Sequence, residues 1–447
     1  MGVEPTYAAW EAAVLPMNYI RRCSFGAFPW ERSGIISELS AHCKSEKWRR
    51  GHGGGKIFIG YPSRFGGRSG KGGTSVKRLL TLLCALLLLT LPAQALEVEA
   101  PSAVLMERDT GTVLFEKDAH TPREPASVTK VMTLLLVMEA IDSGQLRWDD
   151  LVTGSAHAAS MGGSQIWLKE GEALSVADMV KAVCVVSAND CAVALAEHLS
   201  GSEEAFVDRM NARAQELGME DTHFVNACGL PAEGHVTSAY DIALMSRELV
   251  LHHPDIRQYT TLWMDTLRDG QSSLVNTNKL VRFYPGCTGL KTGSTSTAGY
   301  CLSATAEKDG MELIAVILKG STSAQRFEDA KTLLNHGFAT YTLCPLSPAQ
   351  ALPPIPVTLG ERQTVQPLAE EGKILLEKSQ ATDLEQSLDL PERLEAPVRQ
   401  GDRLGTLTVK RQGETVAEVP ILAAETVERI SWKALTLRLL QAALFAG

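Results

Sequence analysis

The sequence predicts a mixed α/β (α+β) body, then a small all-β domain, then a terminal amphipathic helix. Three observations predict it. Between residues 98 and 345, hairpin-like stretches alternate with helical ones. Five prolines between residues 345 and 356 mark a linker. Beyond it, residues 356–427 lose every long helical pattern and show short alternating stretches, until Ile430–Phe445 turns apolar again. A chain of 447 residues has length for two or three domains. The segments expected are 1–75, 76–95, 96–345, 346–428 and 429–447.

The N-terminal part stands apart in charge. Residues 1–95 hold 13 Lys/Arg against 5 Asp/Glu, whereas the remainder holds 30 against 47. Val76-Lys77-Arg78 is a short basic start, Leu79–Leu91 is an almost pure leucine run, and Ala93-Gln94-Ala95 is a small-x-small cleavage site. Those are the three regions of a secretory signal peptide, expected at 76–95. The run of 13 residues is short for a bilayer span. Residues 1–75 are expected to be a spurious or disordered extension, from a reading frame opened too far upstream. The rival reading is a cytoplasmic tail with 79–91 as an uncleaved anchor.

In the mature part, Ala103–Glu107 and Thr112–Glu116 read as strands around an Asp109-Thr110-Gly111 turn. Val128–Ile141 is apolar on most faces, so it is expected as a central buried helix, with Ser127 at its N-cap position and Gly144 just past its end. Residues 175–199, 203–217 and 237–252 carry further helical patterns. Cys301–Ala306 and Met311–Leu318 read as strands joined through Asp309-Gly310, a strong hairpin signal. In Gln325–Phe338, apolar residues recur at helical spacing. Ile430–Phe445 carries only Lys433 and Arg438 as charges and a Trp near one end, which suits a helix lying on a membrane surface. Docking on its own domain is the alternative.

Composition excludes some classes. At 45% hydrophobic and 21% charged, the chain is not disordered as a whole. A net charge of −9 speaks against a nucleic-acid partner. The six cysteines beyond residue 95 have no C-x-x-C spacing and read as small buried thiols. There is no H-E-x-x-H, so a zinc peptidase is disfavoured, and no metal is expected.

Three motifs carry chemistry: Ser127-Val128-Thr129-Lys130, Ser187-Ala188-Asn189 and Lys291-Thr292-Gly293. Ser127 and Lys130, three apart at a helix start, share a face. A serine hydroxyl is a poor nucleophile until a base takes its proton. A lysine amine can be that base if burial and neighbouring positive charge favour its neutral form. The start of the buried helix also offers free N–H groups to an oxyanion. Ser127 as a plain N-cap is the bland alternative. Ser187 and Asn189 follow the apolar Val180–Val186 at a break, placing a hydroxyl beside an amide. Lys291 and Thr292 on a strand present a cation and a hydroxyl to a carboxylate. Gly293 would let substrate backbone approach.

These motifs resemble those of penicillin-binding proteins and serine β-lactamases. The wider text is similar to the low-molecular-mass D-alanyl-D-alanine carboxypeptidases: Pro125–Thr133, Gly162-Gly163-Ser164-Gln165, Ser187–Asp190, Gly229-Leu230-Pro231, Thr237–Asp241 and Gly289–Gly293. The resemblance covers residues 98–345, and more loosely the β domain and the terminal helix. It implies a β-lactamase/transpeptidase-like domain, an antiparallel sheet flanked by helices with a helical subdomain. It implies Ser127 as the acylated nucleophile, Lys130 as base, Ser187 as proton shuttle and Asn189 as holder of the peptide amide. Lys291 and Thr292 would bind the terminal carboxylate, and the N–H groups of Ser127 and Ser294 would form the oxyanion hole. The implied partners are a peptidoglycan stem peptide ending in D-Ala-D-Ala, β-lactams as inhibitors and a membrane surface; no cofactor is implied. Some relatives carry His where this chain has Ser294. Arg326 reads either as a further carboxylate partner or as a solvated helix-start residue. The alternatives are a β-lactamase on the same scaffold, although Glu-x-x-Leu-Asn is absent, and a wall-binding protein with an idle site.

Overall fold

The computed structural model describes residues 96–445. The expected leader and the extension before it lie outside the described residues.

The body is built on a five-stranded antiparallel sheet in the order β2-β1-β9-β8-β7. It comprises β1 (Ser102–Glu107), β2 (Val113–Lys117), β7 (Cys287–Thr295), β8 (Gly299–Lys308) and β9 (Met311–Gly320). The first hairpin turns at Gly111 with φ +70°. The β8–β9 hairpin turns at Asp309 and Gly310, both at positive φ, as a tight turn after Asp-Gly demands. Strand β1 is buried throughout, and β9 is buried except at Lys319, because both faces of the sheet are covered. Leu313, Ala315 and Ile317 face one side, against Phe327, Ala330, Leu333 and Leu334 of helix α6 (Ser323–Thr340). Ile314, Val316 and Leu318 face the other, toward the main helical core.

That core centres on α1 (Lys130–Asp142). Leu134, Leu135, Val137 and Met138 are each fully buried, contributing roughly 1.5–3 kcal/mol apiece from apolar burial. The helix is covered on all sides because it packs against both α3 (Asn189–Ser200) and α5 (Ala239–His252). The other long helices of the body, among the described residues, are α2 (Val176–Val186) and α4 (Glu203–Glu216). Two short hairpins, β3 with β4 (Leu151–Thr153, Ala173–Ser175) and β5 with β6 (Met264–Leu267, Ser272–Val275), complete it.

One expectation needs correction here. Ser127 is not the N-cap of a helix beginning at Val128. Residues Ala126–Thr129 form a 3-10 turn, α1 begins at Lys130, and the Ser127 side chain makes no capping bond. The helix still ends as expected, with Gly144 at φ +75° just beyond Ser143.

Past α6, β10 (Tyr341–Pro345) pairs with β14 (Lys373–Glu377), a link across the proline-rich stretch that local pattern does not reveal. Residues 356–427 hold strands throughout. One sheet joins β11 (Ile355–Thr358), β12 (Thr364–Val365) and β16 (Leu394–Glu395) in the order β12-β11-β16. Another joins β13 (Pro367–Ala369), β15 (Leu384–Asp389), β17 (Arg403–Arg411) and β18 (Glu414–Ala423) in the order β13-β18-β17-β15. Small cores lie around Val357, Val365 and Val427, and around Leu407, Val409 and Ile421. Helix α7 (Trp432–Phe445) follows. Among the described residues, the six cysteines are all free thiols and four of them are buried.

Candidate active site

The outer edge of β7 faces the 3-10 turn that carries Ser127. Lys130, one turn further on, lies three residues from Ser127, so the spacing brings its Nζ to 3.0 Å from Ser127 Oγ. The same Nζ donates to Asn189 Oδ1 at 2.6 Å and to the Cys228 carbonyl at 2.6 Å. All three ammonium donors are therefore used. Lys130 is fully buried, and desolvation brings its pKa down to about 8.

Asn189 is reached through a break between α2 and α3. Ser187 ends α2 in the left-handed region (φ 64°, ψ 35°), a conformation costing a non-glycine residue about 1 kcal/mol or more. Its hydroxyl is buried and has no protein partner. Asn189 donates its N–H to Ser164 O (2.7 Å) and its Nδ2 to Gly162 O (2.7 Å). The Gly162–Gln165 loop thus packs on the amide; a Cβ on Gly163 would meet Nδ2 at 2.9 Å. The next residue, Asp190, is a buried carboxylate that receives the N–H groups of Ile166 (3.0 Å) and Leu168 (2.9 Å). No role is expected of it from the sequence. The Asn189 carbonyl oxygen orients Lys130 by accepting from its Nζ.

On β7, Lys291 is buried and its Nζ donates to the Thr292 carbonyl at 2.8 Å. Burial, and then the nearby Lys130 charge, hold its pKa well below the usual lysine value. Thr292 Oγ1 shares a hydrogen bond of 2.7 Å with Thr277 Oγ1. Ser294 is exposed. Gly293 is needed for a different reason than substrate approach alone. A Cβ there would lie 2.8 Å from Pro125 O and 2.9 Å from the backbone nitrogens of Ser127 and Val128. The third motif and the turn that carries Ser127 touch backbone to backbone.

One reading of Arg326 is corrected: it is 6% exposed, so it is not solvated. It donates to the carbonyls of Gly293 (2.9 Å) and Cys301 (3.2 Å) and stacks over the Tyr300 and Phe327 rings. These bonds tie β7 to β8 from behind.

A third wall comes from the loop after α4. Asn226 Oδ1 accepts from Gly229 N (2.7 Å) and Leu230 N (3.1 Å), fixing the bend that presents the Cys228 carbonyl to Lys130. Gly229 sits at φ +81°, where a Cβ would meet Ala126 O at 1.9 Å.

A serine and a desolvated lysine on one turn, walled by an S-x-N break and a K-T-G edge strand, define an active-site serine protein of the penicillin-recognising fold. The comparisons narrow that class. The family model described as D-alanyl-D-alanine carboxypeptidase matches residues 90–322, and the one described as penicillin-binding protein 5, C-terminal domain, matches residues 348–429. The chain belongs to the D-alanyl-D-alanine carboxypeptidase family. It is 42% identical over 372 residues to D-alanyl-D-alanine carboxypeptidase DacF of Bacillus subtilis (strain 168), covering 79% of this chain and 95% of the relative. It is 33% identical to DacC of Escherichia coli (strain K12), covering 74% and 86%. Penicillin binding protein 5 from Haemophilus influenzae superposes with a TM-score of 0.64 at 29% identity, covering 74% of this chain and 98% of that one. An ampicillin-bound form of penicillin-binding protein D2 from Listeria monocytogenes matches 54% of this chain and 98% of its own, with a TM-score of 0.50 and 34% identity.

Proposed function

We propose that this protein is an exported serine carboxypeptidase that removes the terminal D-alanine from peptidoglycan stem peptides through an ester on Ser127. The observation that carries the reading is the 3.0 Å contact between Ser127 Oγ and a buried Lys130 amine whose pKa is about 8. An amine near that value is neutral in a useful fraction at physiological pH and can take the serine proton.

Ser127 Oγ then attacks the carbonyl of the penultimate D-alanine. The developing oxyanion rests on the N–H groups of Ser127 and Ser294. The peptide C–N bond breaks as Ser187 relays a proton to the departing amine, and free D-alanine leaves. Water cleaves the ester, returning the serine hydroxyl and a shortened peptide acid. Lys291 and Thr292 receive the terminal carboxylate, whose charge favours a charged Lys291 and offsets the cost of its burial. A β-lactam acylates the same hydroxyl, but its ring nitrogen stays tethered and blocks the water.

Export through residues 76–95 would place the enzyme on the outer face of the cytoplasmic membrane. Helix α7 supports contact with that surface. Trp432, Leu437, Leu439, Leu440 and Leu444 are exposed, while Arg438 donates to the Gly360 and Glu361 carbonyls and ties the helix to the β domain. No described helix is long and apolar enough to cross a membrane. Removing residues 430–447 is expected to abolish flotation with anionic lipid vesicles; unchanged flotation would discard the surface helix.

The test of the chemistry uses residues 96–429, wild type and Ser127→Ala, with diacetyl-L-Lys-D-Ala-D-Ala and a labelled penicillin. D-alanine release and a lasting adduct are expected in the wild type, with both reduced by at least about 10³-fold in the variant. An adduct gone within seconds and no peptide cleavage would indicate a β-lactamase. A folded wild type with neither activity would indicate a binding protein.

A further inference from the structure

One buried histidine close to the site takes no part in the steps above. His235 lies in the loop before α5 and is 2% exposed. Its Nδ1 is 2.9 Å from the Val225 backbone nitrogen, and its Nε2 is 2.8 Å from Thr129 Oγ1. The directions of these bonds are fixed. A backbone N–H can only donate, so Nδ1 accepts, and the neutral ring carries its proton on Nε2. That proton goes to Thr129 Oγ1, and the Thr129 hydroxyl in turn donates to the Ala126 carbonyl at 2.9 Å. Burial, with the His223 charge nearby, lowers the His235 pKa to about 4, consistent with a ring that stays neutral.

The end of this relay is the peptide immediately before the nucleophile. Ala126 has φ +48°, in the left-handed region that a non-glycine residue occupies only when its surroundings hold it there. The Ala126–Ser127 peptide is planar, so its C=O and N–H point in opposite directions. Holding the Ala126 carbonyl on Thr129 therefore aims the Ser127 N–H. Gly229 closes the other side of that carbonyl.

We propose that His235 is a positioning residue: acting through Thr129, it holds the strained Ala126–Ser127 peptide so that the Ser127 N–H meets the oxyanion. This rests on the reading of Ser127 as the acylated residue.

The test exploits the reach of two amides. Asn at 235 places an oxygen near the old Nδ1 and keeps the Val225 bond, but cannot reach Thr129. Gln places an N–H near the old Nε2 and keeps the Thr129 bond, but not the Val225 bond. Penicillin acylation rate, kcat and KM for the peptide, and melting temperature are measured for His235→Asn, His235→Gln, Thr129→Val and the His235→Asn/Thr129→Val pair. Removing an oxyanion donor outright costs about 10²–10³-fold, so misaiming one is expected to lower acylation and kcat by ~10–100-fold in His235→Asn, with KM little changed. His235→Gln is expected within ~3-fold of wild type. Thr129→Val, which keeps the side-chain shape, should match His235→Asn, and the pair should be no worse than either alone. Equal losses in Asn and Gln that track melting temperature, or a wild-type rate in Thr129→Val, would overturn the proposal. If the wild type forms no adduct at Ser127, the underlying reading fails, and this inference with it.

Discussion

Replacing Lys130 with methionine is expected to reduce penicillin acylation by at least about 10³-fold while leaving a folded protein. A positioned general base supplies roughly 10²–10⁴-fold, and here the amine is also the only group within hydrogen-bond reach of Ser127 Oγ among the described side chains. In the wild type, acylation is expected to rise with pH and level off above about 8, following the neutral fraction of Lys130. The stability consequence has a definite sign. The folded-state pKa is about 8 against an ordinary 10.5, so between these values the unfolded chain binds more protons than the folded one. Wild-type stability from this group therefore rises with pH across that window, and the full cost of the buried charge, about 3 kcal/mol, is present below pH 8. Methionine removes that cost, but leaves Asn189 Oδ1 and the Cys228 carbonyl without a donor, at roughly 1–3 kcal/mol each. The two effects offset near neutral pH. The wild type should gain on the variant in chemical denaturation between pH 8 and 10.5; a gap that narrows there would contradict a desolvated Lys130.

What was legible in the sequence follows from what is local. The Ser127–Lys130 spacing is set by one helical turn. The break at Ser187 interrupts a visible apolar pattern, and the K-T-G strand is announced by the Asp309-Gly310 hairpin behind it. What was not legible depends on backbone atoms or distant partners. The Cys228 carbonyl holds Lys130, yet a carbonyl carries no residue-type signal. Arg326 meets Gly293 across 33 residues, and its lone charge near a helix start reads as solvated until its burial is seen. The N-cap reading of Ser127 failed because Ala126 takes a left-handed φ, which opens a 3-10 turn before α1 and redirects the hydroxyl toward Lys130. The sequence carries little sign of that, since alanine rarely adopts it.

The two strained residues of the site flank its two hydroxyls. Ala126 at φ +48° precedes the Ser127 hydroxyl, and Ser187 itself sits at φ +64°. Each is held by a packed neighbourhood rather than by its own preference. Ala126 is held by Thr129 and Gly229; the residues after Ser187 are held by the Gly162–Ser164 loop on Asn189. Loops, not the sheet, bear the cost of pre-arranging the chemistry, and the sheet's contribution is the rigid edge they close against.

That edge gives the second large effect. Gly293→Ala is expected to lower acylation by at least about 10²-fold without any change in charge or hydrogen-bonding groups. Gly293 is not at positive φ, so alanine meets no backbone penalty there, and the effect is purely one of contact. The new methyl would lie 2.8–2.9 Å from Pro125 O and from the nitrogens of Ser127 and Val128, all of them backbone atoms that cannot rotate away. Arg326 holds the strand from behind through the Gly293 carbonyl, so the strain falls on the nucleophile turn. Moving that turn shifts Ser127 Oγ relative to Lys130 and separates its N–H from that of Ser294, so in the proposed mechanism both attack and charge stabilisation suffer. Overpacking of this kind typically costs 1–3 kcal/mol of stability, enough to be read by denaturation yet too little to unfold the domain. Gly163→Ala provides the contrast. Its methyl would meet the end of the Asn189 side chain at 2.9 Å, but it also carries a backbone penalty at φ +80°. It should lose comparable stability and less acylation, because it does not touch the turn. If Gly293→Ala acylates at the wild-type rate, the backbone contact between the third motif and the nucleophile turn does not govern the chemistry.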